Sequence, residues 1–194
     1  MTMWIGQNTQ IRLVPLKDPP KTIRYSFLAT KFGQMMMGVI NPISGDSKDQ
    51  VAIGVLHFVI KDNVSTYNEV QERWPKSELW KDDDAVKLVA DKLFESDKEN
   101  SQAIPIAIYG TDFQLSVWRA LVHMKRGETC TYSQLAERMG RPTAVRAVAS
   151  AVAKNELAIL IPCHRVVSQN GASKYHWGAA LKQLLLADEK SKNY

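Results

Sequence analysis

The chain reads as an α+β protein, with strand-type segments and one helix in its first half and a mostly helical second half. Three observations predict this. Before residue 100 the apolar segments are short, β-branched or aromatic, and broken by turn residues. Beyond it, apolar residues recur at helical spacing. Between the two lies Glu95-Ser96-Asp97-Lys98-Glu99-Asn100-Ser101-Gln102, a polar run expected to be an exposed linker. The organisation expected is an N-terminal α/β domain with its linker over residues 1–105 and a second domain over 106–194.

The strand expectations are Ile11 to Leu16, Arg24 to Thr30, Met35 to Ile40 and Val51 to Ile60, separated by turn signals such as Lys31-Phe32-Gly33 and Asn41-Pro42. Asp83 to Phe94 predicts a helix, with Val86, Val89, Ala90 and Phe94 on one face and acids in the first turn. In the second half, Phe113 to Met124 places Phe113, Val117, Ala120, Leu121 and Met124 on one face. Thr131-Tyr132-Ser133-Gln134 matches a capping box, and the helix it opens runs to Met139 and stops at Gly140. Pro142 suits the first turn of a further helix, expected from about Thr143 to Lys154. A short helix, a glycine turn and a second helix make a helix-turn-helix signature, which any helical hairpin shares.

Composition sets wide bounds. At 194 residues, 45% hydrophobic and 23% charged, the chain is of ordinary globular make-up. No run approaches the 18 or so apolar residues of a membrane span, and the first 25 residues lack a basic-then-apolar signal layout, so an intracellular protein is expected. Two cysteines make neither a disulfide framework nor a cysteine-rich zinc site. A net charge of +5 fits a polyanionic partner without requiring one.

Two features carry chemistry. In Ile159-Leu-Ile-Pro-Cys-His-Arg-Val-Val, Cys163 lies between an apolar run and a His-Arg pair. A nucleophilic thiol needs a base or cation nearby, whereas free cysteine is also among the most buried residue types, and the residues leave both readings open. The second feature is the last helix of the pair. Ala144, Ala147, Val148, Ala151 and Val152 form an inward stripe, and the other face presents Arg146, Ala149, Ser150, Ala153 and Lys154. One long arginine on a surface of very small side chains allows close approach to a narrow groove of DNA, or equally to another protein element.

Gly110-Thr-Asp-Phe-Gln, Tyr132-Ser-Gln-Leu-Ala, Arg146-Ala-Val, Asn155, Pro162-Cys-His-Arg-Val and Tyr175-His-Trp-Gly occur in an order that resembles the O6-alkylguanine-DNA alkyltransferases. The resemblance is strong over roughly residues 108–190 and looser before. It implies a small N-terminal antiparallel sheet of ribonuclease H-like type with a helix. The implied second domain is catalytic and DNA-binding, mostly helical, with a winged-type helix-turn-helix. The implied activity is that of a methylated-DNA–protein-cysteine methyltransferase. An alkyl group, chiefly methyl, passes once and irreversibly from O6 of guanine, and also O4 of thymine, in duplex DNA to cysteine. The base is flipped out through the minor groove, no cofactor or metal takes part, and the protein is consumed.

Residue by residue, the resemblance makes Cys163 the acceptor, His164 its base through a water, and Glu189 the group that orients the histidine. Adjacent side chains on an extended segment point apart, so direct contact between Cys163 and His164 is not expected. Tyr132 becomes the donor to the guanine leaving group and a phosphate contact, and Arg146 fills the gap left by the flipped base. Asn155 joins the recognition helix to the active-site strand. Ala144, Ala147, Ser150 and Lys154 complete the DNA-facing set, and Val152, Tyr175 and Trp177 line the pocket. The partner is double-stranded DNA bearing O6-alkylguanine, bound by a monomer without membrane attachment, in the nucleus of a eukaryote or otherwise the cytoplasm.

Without the resemblance, several of these residues have plain readings. Glu189 would be a solvated acid on a C-terminal helix, Tyr132 a helix-start aromatic, Asn155 a helix cap, and Val152 and Tyr175 core. Cys130 is expected to be a thiol at a turn, His123 and His176 surface groups, His57 part of a strand, Met35-Met36-Met37 core, and Asp82-Asp83-Asp84 a helix N-terminus. A DNA-binding regulator without chemistry and a cysteine hydrolase are the competing classes. The first would lack the nucleophile, and the second needs an oxyanion hole that Pro162 cannot help to form.

Two positions depart from family patterns. Lys174 stands where many members have glycine, and Trp177 is bulky where some vertebrate members have a small residue. A tighter pocket is therefore expected to take methyl faster than benzyl from free O6-substituted guanine. Equal rates on the two free bases would remove that expectation.

Overall fold

The computed structural model describes residues 10–40, 51–94, 103–169 and 175–191. The Asn41-Pro42 turn, the linker over 95–102 and Lys174 lie outside the described residues. The chain forms two compact units, the first ending at Tyr109 and the second beginning at Gly110.

The first unit contains β1 (Ile11–Pro15), β2 (Thr22–Thr30), β3 (Gly33–Ile40), β4 (Ala52–Phe58), α1 (Asn63–Arg73), β5 (Glu78–Lys81), α2 (Asp83–Phe94) and β6 (Ile104–Ile108). Its sheet has six strands in the order β1-β6-β4-β3-β2-β5. The expected small antiparallel sheet is corrected by this: only β2–β3 and β3–β4 are antiparallel, whereas β1–β6, β4–β6 and β2–β5 run parallel. The physical reason is connectivity. Parallel neighbours need crossovers of a dozen residues or so, and the links β4–β5 and β5–β6 carry α1 and α2.

Those connecting pieces gave the sequence little to show. Along α1 only Thr66 and Val70 are buried, so no apolar stripe marks it. β5 is four residues long, and β6 contains Pro105, which demotes a strand signal. The expected domain limit at residue 105 falls inside β6.

The two strands of the β2–β3 hairpin meet at Thr30 and Gly33. Gly33 has φ 113°, a backbone conformation that a side chain would strain. α1 seals one face of the sheet through Val70 and Trp74 against Ile23, Met36 and Val55. α2 packs on the face carrying Arg24 and Ser26, which bond Asp82 and Asp83 at 3.3 and 2.6 Å. Asp82 also accepts from the backbone N–H of Ala85 at 2.9 Å, so the acidic triplet does begin a helix. Met35, Met36 and Met37 are core, and His57 is buried in β4.

The second unit contains α3 (Asp112–Val122), β7 (Cys130–Thr131), α4 (Tyr132–Arg138), α5 (Val145–Ala153), a single 3₁₀ turn (Cys163–Arg165), β8 (Val166–Val167) and α6 (Ala179–Ser191). Thr131 and Gln134 form the expected capping box on α4, and Thr111 with Gln114 forms another on α3. Contrary to the expectation from sequence, Pro142 does not open the next helix. It occupies a turn closed by Ala144 N–H to Arg141 C=O at 2.9 Å, at the position where its fixed φ suits such a turn, and α5 starts at Val145. α5 packs on α3 and α4, and the indole N–H of Trp118 donates to Ala151 C=O at 3.0 Å. The inward stripe of α5 is Val148, Ala151 and Val152; Ala147, expected within it, is exposed. The segment holding Cys163, expected as an extended strand, is a 3₁₀ turn leading into the short parallel β7–β8 ladder. Among the described residues no helix is long and apolar enough to cross a membrane.

Candidate active site

The segment that delivers Cys163 is built around the Asn155 carboxamide, itself 2% exposed. Asn155 Oδ1 accepts from Leu157 N–H at 3.0 Å, while Nδ2 approaches Leu157 C=O at 3.2 Å, Ile161 C=O at 2.9 Å and Cys163 Sγ at 3.1 Å. Two three-residue turns lie between Asn155 and the sulfur. Leu160 N–H donates to Ala158 C=O at 2.7 Å around Ile159, whose φ is 70°. Cys163 N–H donates to Ile161 C=O at 2.7 Å around Pro162, whose φ and ψ are −79° and 61°. The second is the common, relaxed form of this turn, and the first is the rare, strained form.

Cys163 is 5% exposed yet faces a cavity of about 640 Å³. Burial pushes its thiol up to about 11, against the pull of Asn155 and the Lys182 ammonium. The resting group is therefore a neutral thiol, and chemistry at neutral pH requires a base. Of the two readings left open by the sequence, burial is observed, and the cysteine also lines a pocket.

His164 and Glu189 supply the next layer. His164 Nε2 lies 2.9 Å from Glu189 Oε1. Burial lowers the imidazole's pKa and Glu189 only partly opposes it, so the ring is neutral at pH 7. Burial alone would raise the Glu189 carboxyl, but hydrogen bonds from His164 and Arg165, with a further one from Gly127 N–H, hold it at about 2. A neutral ring beside an ionised carboxylate places its proton on Nε2, as donor to Glu189. Nδ1 then carries the lone pair, and among the described residues it is buried without a hydrogen-bond partner.

Arg165 grips the same carboxylate through Nε at 3.0 Å and Nη2 at 2.9 Å, and donates from Nη1 to Met124 C=O at 2.6 Å. Gly127, at φ 75°, donates its backbone N–H to Glu189 Oε2 at 3.0 Å. Next to these, Arg126 pairs with Asp188 at 2.8 Å. Glu189 thus fastens α6 to the turn after α3 and to the cysteine-bearing turn. On its own, a glutamate on a C-terminal helix would be solvated, and here it is 4% exposed.

The remaining expected residues divide between the wall of the cavity and the surface of α5. Tyr132, the first residue of α4, lines it together with Val152, Asn155, Tyr175 and Trp177. Burial, and to a lesser degree Cys163, raises the Tyr132 phenol, which keeps its proton at neutral pH. Tyr175 stacks edge-on against Trp177 at 5.3 Å and against His164 at 6.5 Å, and Trp177 is buried. On α5, Arg146, Ala147, Ser150 and Lys154 are exposed and Ala144 is half-buried at the N-cap. Cys130 is buried, its thiol 3.8 Å from Met124 Sδ, and His123 caps α3 on the surface.

Three contributors were not singled out from sequence. Lys182 is 2% exposed and donates from Nζ to Val166 C=O at 2.6 Å. In the sequence Arg165 is only a neighbour of the cysteine motif, and Ile159 only part of an apolar run. A lysine on the buried side of a helix and an isoleucine in left-handed backbone leave no periodic trace.

The model of the 6-O-methylguanine DNA methyltransferase DNA-binding domain matches residues 112–191. The inducible methylated-DNA–protein-cysteine methyltransferase of Bacillus subtilis is 39% identical over 123 residues, covering 62% of this chain and 69% of that protein. The regulatory protein ada of Salmonella typhimurium is 54% identical over 91 residues, 46% of this chain but 26% of that protein. The bifunctional transcriptional activator/DNA repair enzyme Ada of Escherichia coli is 41% identical, and the chain spans 37% of its length. Mycobacterium tuberculosis OGT, solved in complex with DNA, aligns with TM-score 0.58 and 26% identity over 88% of this chain and 93% of that one.

The depressed Glu189 carboxyl has a consequence for stability. A group held at about 2 in the fold and near 4.3 when unfolded contributes stability that is complete above the unfolded value and lost as pH falls toward 2. Thermal melts should therefore fall steeply between about pH 4.3 and pH 2. Glu189→Gln should flatten that part of the curve and cost on the order of 2–4 kcal/mol at pH 7, because Arg165 loses its buried counter-charge. An unchanged pH dependence in the variant would contradict this assignment.

Proposed function

This chain belongs to the methylated-DNA–protein-cysteine methyltransferase family, and from that premise we propose that it repairs duplex DNA by taking a methyl group from O6 of guanine onto Cys163. The His164–Glu189 pair carries this reading. Its proton is committed to Glu189 through Nε2, and its lone pair at Nδ1 is buried and unpartnered among the described residues, on the residue that follows the thiol in the chain.

The proposed step is a single displacement. His164 Nδ1 takes the Cys163 proton, relayed by a water, and the sulfur electron pair attacks the methyl carbon. The C–O6 bond breaks with its electrons on the guanine, which gains a proton donated by the Tyr132 phenol. Sulfur suits attack at an alkyl carbon, and the resulting thioether does not revert, so each molecule acts once. No cofactor enters. The Asn155 amide and the Lys182 ammonium oppose the effect of burial on Cys163, and so favour the thiolate as it forms.

Delivery of the base is assigned to α5. Its small exposed residues Ala147 and Ser150, with Ala144 at its start, permit close approach to the minor groove, and Lys154 adds a phosphate contact. Arg146 is exposed in the first turn of α5 and is proposed to occupy the space of the flipped nucleotide. O4 of thymine is a second proposed methyl source, and the protein is proposed to act as a monomer. Val152, Tyr175 and Trp177 would hold the extruded base, with the indole limiting adduct size. A hydrolase reading is weaker, because the nucleophile's own N–H is engaged by Ile161 C=O at 2.7 Å and cannot serve an oxyanion.

Incubation with duplex DNA containing O6-methylguanine should add one methyl mass to the Cys163 peptide and saturate at one per protein. Tight DNA binding without mass gain would support a regulator instead. Arg146→Ala should slow repair of the duplex by on the order of ten- to a hundredfold, since flipping costs a few kcal/mol, while reaction with the free base stays within about twofold. Equal slowing on both substrates would remove the flipping role.

A further inference from the structure

We infer that Ile159 is a positioning residue for the Cys163 thiol, acting through the strained turn it occupies; the inference rests on the methyl-transfer reading of the same site. Among the described residues Ile159 is the one non-glycine with positive φ, at 70°. A β-branched residue is poorly suited to that region, because its crowded Cβ meets the following carbonyl. Glycine adopts it freely. The position therefore needs something that glycine does not supply.

The hydrogen bonds show what forces the turn. Asn155 Nδ2 has two hydrogens and three acceptors within reach: Leu157 C=O, Ile161 C=O and Cys163 Sγ. For carbonyls four residues apart to converge on one nitrogen, the chain must reverse between them. It does so around Ile159, closed by Leu160 N–H to Ala158 C=O at 2.7 Å and Ile161 N–H to Leu157 C=O at 2.9 Å.

The Ile161 carbonyl is the link to the nucleophile. It accepts both from Asn155 Nδ2 at 2.9 Å and from Cys163 N–H at 2.7 Å. Were the Ile159 turn to open, this carbonyl would swing away and carry Cys163 from its place beside Asn155. A glycine at 159 would accept the turn and also its many alternatives. The half-buried isoleucine has few alternatives, so the hydrogen bonds hold a single geometry. Strained backbone at a functional loop persists only where its surroundings over-determine it, as these bonds do.

The test compares Ile159→Gly and Ile159→Val with the wild type in three measurements: single-turnover methyl transfer from free O6-methylguanine and from duplex, labelling of Cys163 by iodoacetamide, and melting temperature. Ile159→Gly should melt within a few degrees of the wild type, because relief of strain offsets the lost side chain. It should transfer methyl about ten- to a hundredfold more slowly from both substrates, the scale expected of a small misplacement of a reacting group. Its labelling by iodoacetamide should be faster, as a looser thiol becomes accessible. Ile159→Val should match the wild type throughout. Wild-type transfer by Ile159→Gly would overturn the inference, as would a loss of transfer that tracks a fall in melting temperature in both variants, the signature of a packing role. A wild-type protein that takes no methyl from either substrate refutes the transferase reading instead, and labelling with melting still decides the role of the turn.

Discussion

The carboxylate of Glu189 is buried, ionised and shared by His164, Arg165 and the backbone of Gly127. Removing an ion from water costs several kcal/mol, and a buried one persists only where partners compensate it well. Here compensation comes from a fork of guanidinium donors and one backbone N–H, which fix α6 against the turn after α3 and the cysteine-bearing turn. The arrangement also decides the state of the histidine. Because burial disfavours the charged ring and Glu189 only partly opposes it, with Arg165 adding a smaller push in the same direction as burial, His164 stays neutral, donates through Nε2 and leaves Nδ1 with a free lone pair. One ion pair thus sets the local fold and assigns the proton positions.

Around the thiol a different means is used. Cys163 is not activated at rest by a neighbouring charge, since burial outweighs both Asn155 and Lys182. Hydrogen bonds hold it instead, through a short path from Asn155 to the Ile161 carbonyl and on to its own backbone N–H. On the proposed methyl-transfer reading, holding the thiol in this way suits a step in which alignment of sulfur, carbon and leaving oxygen governs the rate.

Most of the second unit was legible in the sequence. Thr131 and Gln134 mark a helix start through bonds between residues three apart, and both bonds form. The motif around Cys163 and the small-faced helix with Arg146 likewise depend on neighbours in the chain. Legibility fell where partners are distant. The parallel strands β5 and β6 were missed because their pairing is decided by crossovers through α1 and α2, and α1 buries too little to show a stripe. Pro142 suited a helix start by local rule, yet the turn from Arg141 to Ala144 claimed it first.

The sequence by itself determined the mixed α and β composition, the second unit's helices and the motif around Cys163, because periodicity, capping and motif spacing act over a few residues. Only the tertiary structure decided which way the sheet runs, that Glu189 and Lys182 are buried, and that Ile159 must adopt left-handed backbone. Each of these depends on groups brought together from separated segments or on convergence upon one buried side chain. Desolvation and hydrogen-bond convergence exist only once the chain has folded, and no local pattern encodes them.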